Sequence, residues 1–237
     1  MTPDEIRDLQ RDLSRLGFAP GPLDGLWGPR TEGAVQRFQR RAGLPASRTQ
    51  TAQTRRALRR FLKEAEERIV PVTRADVVAI TGRFPEEWVE PLNASIRWAH
   101  VTAGRLPAYL AQLGHESAGF RTLEEYASGE GYEGRPDLGN TEPGDGRRFK
   151  GRGAIQITGR HNYTRAGEAL GLPLTERPEL LLEPGHGFMA SAWYWLDANL
   201  NAITDSGDFV ALTRAINGGV NGLEHRRELY QRAQEVL

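Results

Sequence analysis

The chain has 237 residues, 38% hydrophobic and 26% charged, which is enough for one sizeable domain plus a small one and is the balance of a globular protein, not a disordered one. It holds no cysteine, which excludes disulfides and thiolate metal sites, and no apolar run long enough to span a bilayer. Net charge is zero, yet residues 1–65 carry +6 and the rest −6, so the first part suits a polyanion, either nucleic acid or an anionic cell envelope.

In chain order, residues 4–16 read as an amphipathic helix: Ile6, Leu9, Leu13 and Leu16 recur at helical spacing and Gly17 stops it. Residues 18–29 are dense in Gly and Pro, hence a tight ordered loop. Thr31 is placed to cap a second helix with Ala34, Val35 and Phe38 on its apolar face, and a third helix is expected over about residues 51–65. Three short helices around a small core make a domain of residues 1–65, followed by a charged linker over 66–75 that Pro71 breaks. Beyond it, helical spacing covers about residues 76–80, 92–102, 107–115, 163–170, 185–199, 209–216 and 224–236. Strand signal is confined to Ala154–Thr158. The loop over residues 121–152 is too long for a mere connection in a compact domain, which marks it as functional. Trp193, Tyr194 and Trp195 cannot share one helix face, so core packing is their expected job.

Glu116 closes an apolar stretch that begins at Leu110. A glutamate there loses hydration, which favours its protonated form, as a general acid requires; the alternative is a structural ion pair with an arginine. Glu124 and Glu125 follow closely, and two carboxyl groups a fixed distance apart are the minimum equipment for cleaving a glycosidic bond. If Ala154–Thr158 is extended, Gln156 and Thr158 share a face, offering uncharged hydrogen-bonding groups to sugar hydroxyl and acetamido groups; the alternative is a buried amide that satisfies backbone. Tyr132, in the long loop, is a candidate platform for a sugar ring. His115 reads as support for Glu116 or as a helix-end histidine. The other histidines are scattered and no H-E-x-x-H pattern occurs, so neither a metal nor a cofactor is expected.

Two resemblances join these observations. Leu9–Leu13, Leu16–Phe18, the Asp-Gly-x-x-Gly-x-x-Thr loop from Asp24 to Thr31, Ala34–Gln39 and Gly43–Pro45 resemble the peptidoglycan-binding domain of bacterial and phage wall hydrolases, over roughly residues 5–60. Trp27 and Arg30 are then the expected glycan or peptide contacts, while Asp24 reads as a residue that pins the loop. The pattern departs at residues 48–54, where the usual echo of the loop motif is absent. His115–Phe120, Phe149–Tyr163, Gly187–Leu196 and Thr213–Gly222 resemble glycoside hydrolase family 19, the chitinases and lysozyme-like endolysins of phages, over about residues 90–235.

The resemblance implies a mainly α protein: a three-helix peptidoglycan-binding domain followed by a larger lysozyme-like, α-helical catalytic domain with minimal strand over residues 76–237. It implies Glu116 as general acid and Glu125 as the base that activates water, with Glu124 a rival one residue away. An inverting enzyme of this kind holds its carboxyls roughly 6.5–9.5 Å apart. Gln156, Thr158 and Asn162 match residues that bind N-acetyl sugars. Asn217 matches one that binds sugar or orients the base, unless its flanking glycines merely end a helix, and Arg226 matches an arginine near the acid, unless it only bridges helices. The expected function is an endolysin hydrolysing β-1,4 bonds of peptidoglycan, with a chitinase and a catalytically inactive wall-binding protein as alternatives. A nucleic-acid partner lacks any recognisable motif. A monomer without stable membrane insertion is expected. The segment from Met1 to Asp8 shows no signal-peptide pattern, which implies synthesis in a bacterial cytoplasm and access to the periplasmic wall through a holin or another route.

Overall fold

The computed structural model describes residues 1–237 and is mainly α-helical. The helices are α1 (Pro3–Arg15), α2 (Pro29–Arg41), α3 (Ala52–Glu66), α4 (Arg74–Thr81), α5 (Val89–Trp98) and α6 (Leu106–Glu116). They continue as α7 (Asp145–Arg148), α8 (Arg160–Leu170), α9 (Pro184–Asp197), α10 (Leu200–Asp205), α11 (Phe209–Asn217) and α12 (Leu223–Val236). None is long and apolar enough to cross a membrane.

The chain forms two compact units. One gathers Met1–Val70, Ala99–Leu106 and Trp195–Leu223; the other gathers Pro71–Trp98, Pro107–Tyr194 and Glu224–Leu237. Compactness thus divides the chain differently from the reading of residues 1–65, 66–75 and 76–237, because two later segments join the N-terminal one.

In the first unit, α1 starts at a capping box: Glu5 N–H donates to Thr2 Oγ1 and Thr2 N–H donates to Glu5 Oε2. Leu9, Leu13, Ala34, Val35, Phe38 and Leu58 form the core. Phe18 and Phe61 meet Phe38 edge-on, each at 5.4 Å between centroids. Thr31 is not the cap of α2. The helix begins at Pro29, whose fixed φ suits a first turn, and Thr31 lies buried inside it, donating to Pro20 O. The last carbonyls of α1, which a helix leaves unpaired, are met from far along the chain. Arg105 Nη1 donates to Arg15 O at 2.7 Å, and Asn201 Nδ2 reaches Ser14 O and Arg15 O at 3.4 and 3.3 Å. The same Arg105 forks onto both oxygens of Asp205 at 2.7 and 2.6 Å. The helix read over residues 185–199 stops at Asp197, because Asn199 adopts φ 57° and turns the chain into α10.

In the second unit, Phe84, Phe120 and Phe188 pack edge-on or tilted around one another with Trp88, their centroids 5.0–6.4 Å apart. Trp193 and Trp195 are buried, as core packing requires. The expected strand over Ala154–Thr158 does not form. Arg152 and Ile157 pair as an antiparallel bridge, and residues 153–156 are the turn that joins them, with Gly153 at φ 78° and Gln156 at φ 58°. Arg152 also bridges Glu124, so the only sheet-like structure is a minimal ladder in the middle of the long loop region.

Candidate active site

Glu116 is the last residue of α6, a helix whose apolar spacing buries Leu110, Ala111 and Leu113 and leaves its end at the surface of the core. Its surroundings are not purely apolar: the ion pair with an arginine that the sequence left open is present, made by the Arg226 that the resemblance places near the acid. Arg226 of α12, 2% exposed, donates from Nη2 to Glu116 Oε1 at 2.5 Å and from Nη1 to Gln112 Oε1 at 2.5 Å. Gln112 sits one turn before Glu116 on the same helix face, so one guanidinium grips two acceptors on α6 and bridges it to α12. Beside it, His115 Nδ1 lies 2.9 Å from His225 Nδ1. Burial, reinforced by Arg226 and His225, lowers the His115 pKa to about 4, so His115 is neutral near pH 7.

The ladder separates the two rival glutamates. Glu125 N–H donates to Gly151 O at 3.0 Å and Gly153 N–H donates to Leu123 O at 2.8 Å, which fixes residues 123–125 as extended backbone. Consecutive side chains in such a segment point to opposite faces. Glu124 turns toward Arg152 Nε at 3.1 Å and Lys150 Nζ at 3.3 Å, a cationic pocket in which Arg152 is itself held by Arg148 O and Tyr163 Oη. Glu125 turns the other way. Its Oε2 accepts from the Tyr132 hydroxyl at 3.0 Å, and its buried Oε1 has no hydrogen-bond partner. Burial, and then the hydrogen bond to Glu125 and its charge, raise the Tyr132 pKa.

Glycine at 151 makes the face of Glu125 a shared one. A Cβ built there would stand 2.7 Å from Gln156 Oε1, 2.9 Å from Glu125 Oε2 and 3.3 Å from Thr158 Oγ1. The structure therefore brings Glu125, Gln156 and Thr158 together over one bare backbone position, with Gln156 held by its left-handed turn and by its own Nε2 bond to Gly153 O at 3.0 Å. They converge by way of a turn, not by strand alternation. Asn162, in the first turn of α8, spends its amide on Thr158 O at 2.9 Å and so braces that hydroxyl's backbone. Tyr132 supplies a hydroxyl to Glu125 where a ring face for sugar was expected.

The remaining expected residues make local contacts, and those of Asp24 are the loop-pinning ones expected of it. Asn217 falls in the first unit and closes the turn after α11, donating to Asn221 O at 3.0 Å and accepting from Gly219 N at 2.8 Å. Asp24 pins its loop, accepting from Gln10 Nε2 and Leu26 N, each at 2.9 Å. Trp27 is not an exposed ring: it packs on the core and donates to Glu32 Oε1, while Leu26 beside it is 67% exposed. Arg30 is exposed and folds its stem over Gly21. Sequence reading passed over Gly151, Gln112 and Lys150; of these, Gln112 was visible from its four-residue spacing to Glu116.

Comparison with known proteins adds to this geometry. Residues 98–215 match the family model described as chitinase class I, and residues 2–58 match that of a peptidoglycan binding domain. A glycosyl hydrolase family 19 domain-containing protein of Haemophilus influenzae is 31% identical over 157 residues, covering 52% of this chain and 75% of that protein. The chain belongs to glycoside hydrolase family 19. An Arabidopsis thaliana endochitinase is 39% identical over 120 residues, 50% of this chain but only 41% of the plant protein, so the chain spans about two fifths of that relative. Chitinase C from Streptomyces griseus shares the fold at a TM-score of 0.57 and 21% identity, covering 70% of this chain and 91% of that one. Another bacterial family 19 chitinase does so at 0.58 and 21%, covering 70% and 95%. The family 19 match contains Glu116, Glu124, Glu125, Gln156, Thr158 and Asn162, whereas Asn217, His225 and Arg226 lie beyond its last residue.

Proposed function

We propose that this family 19 protein hydrolyses the β-1,4 glycosidic bonds of peptidoglycan by an inverting acid/base mechanism, as an endolysin does at the wall once the membrane has been opened. Glu116 protonates the departing oxygen and Glu125 draws the proton from the attacking water. The observation that carries the assignment of Glu125 over Glu124 is its buried, unpartnered Oε1: an acceptor of this kind suits a water, while Glu124 is committed to Arg152 and Lys150. Tyr132 orients Glu125 through the other oxygen, and Gln156 and Thr158 supply neutral hydrogen bonds for an N-acetyl sugar. Arg226, itself held by Gln112, holds Glu116 in place. Peptidoglycan is favoured as substrate by the N-terminal match to a peptidoglycan binding domain, since a wall tether raises local substrate concentration.

Chitin is the second reading, favoured by the chitinases among the relatives. Digestion of purified sacculi and of chitin oligomers, with mass spectrometry of the reducing ends and NMR of the fresh anomer, separates the two. The expected result is cleavage of sacculi with inverted configuration. Glu116→Gln should cut turnover by about 10²–10⁴-fold with sacculus binding retained. Unaltered lysis by that variant would show that the fold serves as a wall-binding module alone.

A further inference from the structure

A cavity of about 330 Å³ opens in the first compact unit, and none of its lining residues takes part in the candidate active site. Four guanidinium groups line it, Arg15, Arg41, Arg68 and Arg105, against two carboxylates, Glu64 and Asp205. Both carboxylates are engaged: Asp205 takes both arms of Arg105, and Glu64 faces Arg60 at 3.7 Å. Arg15 lies 3.5 Å from Asp12. Arg41 and Arg68 are exposed and have no carboxylate partner; Arg41 rests over the Phe61 ring at 5.9 Å. Phe18 and Phe61, with Leu16 and Ala65, supply the apolar part of the lining.

Two unpaired cations flanking an aromatic floor call for an anion carried on a short, partly apolar body. A strand of N-acetyl sugars alone does not meet that description. In peptidoglycan the negative charge sits on the stem peptide, whose residues bear free carboxylates and methyl side chains. The planar fork of arginine matches a carboxylate with two parallel hydrogen bonds. A cavity of this size admits a short peptide segment, whereas a phosphate polymer follows an extended basic groove. We propose that this cavity binds the carboxylates of the peptidoglycan stem peptide, with Arg41 and Arg68 as the gripping residues and Phe61 beneath the peptide's apolar side chains. The proposal rests on the wall-binding reading and makes peptide, not glycan, the part of the wall held there.

The test is calorimetric titration of the full chain with three soluble ligands: a muropeptide with its stem intact, the same muropeptide with its carboxyls amidated, and the disaccharide without peptide. Arg41→Ala/Arg68→Ala should weaken binding of the intact muropeptide by roughly tenfold or more, and amidation should do the same to the wild type. Arg41→Lys/Arg68→Lys should fall between. Both positions are exposed, so an unchanged melting temperature and unchanged turnover of peptide-free N-acetyl-sugar oligomers will show that fold and active site are intact. Equal affinity for the amidated ligand, or no loss in the double variant, overturns the proposal. Tighter, arginine-dependent binding of polyphosphate overturns it in favour of a phosphate polymer. Failure of the hydrolase reading is distinguishable: the wild type would leave sacculi uncut while the titrations stood.

Discussion

The atoms that a methyl group at Gly151 would meet first are the ends of three side chains, so its cost falls on the site more than on the fold. Side-chain ends can swing away, and the backbone there is not in the left-handed region that only glycine favours. Gly151→Ala should therefore lower kcat by about 10²-fold, since a misplacement of 1 Å at a reacting group costs that much, while the melting temperature moves by only about 2 °C. Circular dichroism melts beside sacculus turnover check both halves. The neighbouring glutamates offer the opposite contrast. Glu125→Gln should remove at least about 10²-fold of turnover with little loss of stability. Glu124→Gln should keep turnover within about tenfold, yet destabilise the protein by about 1–3 kcal/mol, because it strips the buried Arg152 of its carboxylate. A reversal of these two phenotypes would exchange the roles assigned to them.

At the scale of elements, the longer helices were legible because each buries an apolar stripe, and the ends read from Gly and Pro fall within a few residues of those found, whereas the short α7 and α10 were not read. The site was legible only in part. Whether Glu124 or Glu125 faces Gly151 depends on pairing with a segment some 27 residues on, which no local pattern encodes. Ala154–Thr158 alternates like a strand, but Gly153 and Gln156 take positive φ and close a turn instead. Thr31 looked like a cap because its side chain suits that job equally well. The loop motif's echo, absent from the letters, survives in the bonding. Gln10 Nε2 gives hydrogen bonds to Asp24 Oδ1, Leu26 O and Thr31 Oγ1 while its Oε1 accepts from Gly25 N. Gln39 Nε2 does the same toward Ser47 Oγ, Thr49 O and Thr54 Oγ1 while its Oε1 accepts from Ser47 N. A buried amide at a helix thus knots the loop that follows, twice. Gln39→Ala should cost about 1–3 kcal/mol by orphaning buried partners, which a urea melt will resolve; a loss below about 0.5 kcal/mol would deny the knot its role.

For the molecule as a whole, two histidines contribute to the loss of stability between pH 6.5 and 4. Burial first, and then Arg15 and Arg105, lower His100 to about 4, and His115 is lowered to about 4 likewise. Both folded values lie below the unfolded value of 6.5, so between these limits the unfolded chain takes up protons that the folded chain refuses. Stability is then full above about pH 6.5 and declines toward pH 4, by at most about 1.4 kcal/mol per pH unit for each histidine and by less for His115, which keeps some solvent. His100→Asn tests this, because asparagine tolerates the φ of 51° at that position but does not titrate. The variant's melting temperature should fall less steeply than wild type between pH 6.5 and 4; an unchanged slope would remove His100 from the account.

The interleaving of segments in the first unit bears on how such a protein can be recombined. Within residues 1–65, α1 ends in carbonyls that Arg105 and Asn201 satisfy, and Ser14 Oγ donates to Leu196 O. A chimera built by transplanting those residues alone would carry one half of a seam, with bare carbonyls on the graft and stranded donors on the recipient. A transferable cassette has to bring Ala99–Leu106 and Trp195–Leu223 along, three stretches of chain that no single crossover can deliver.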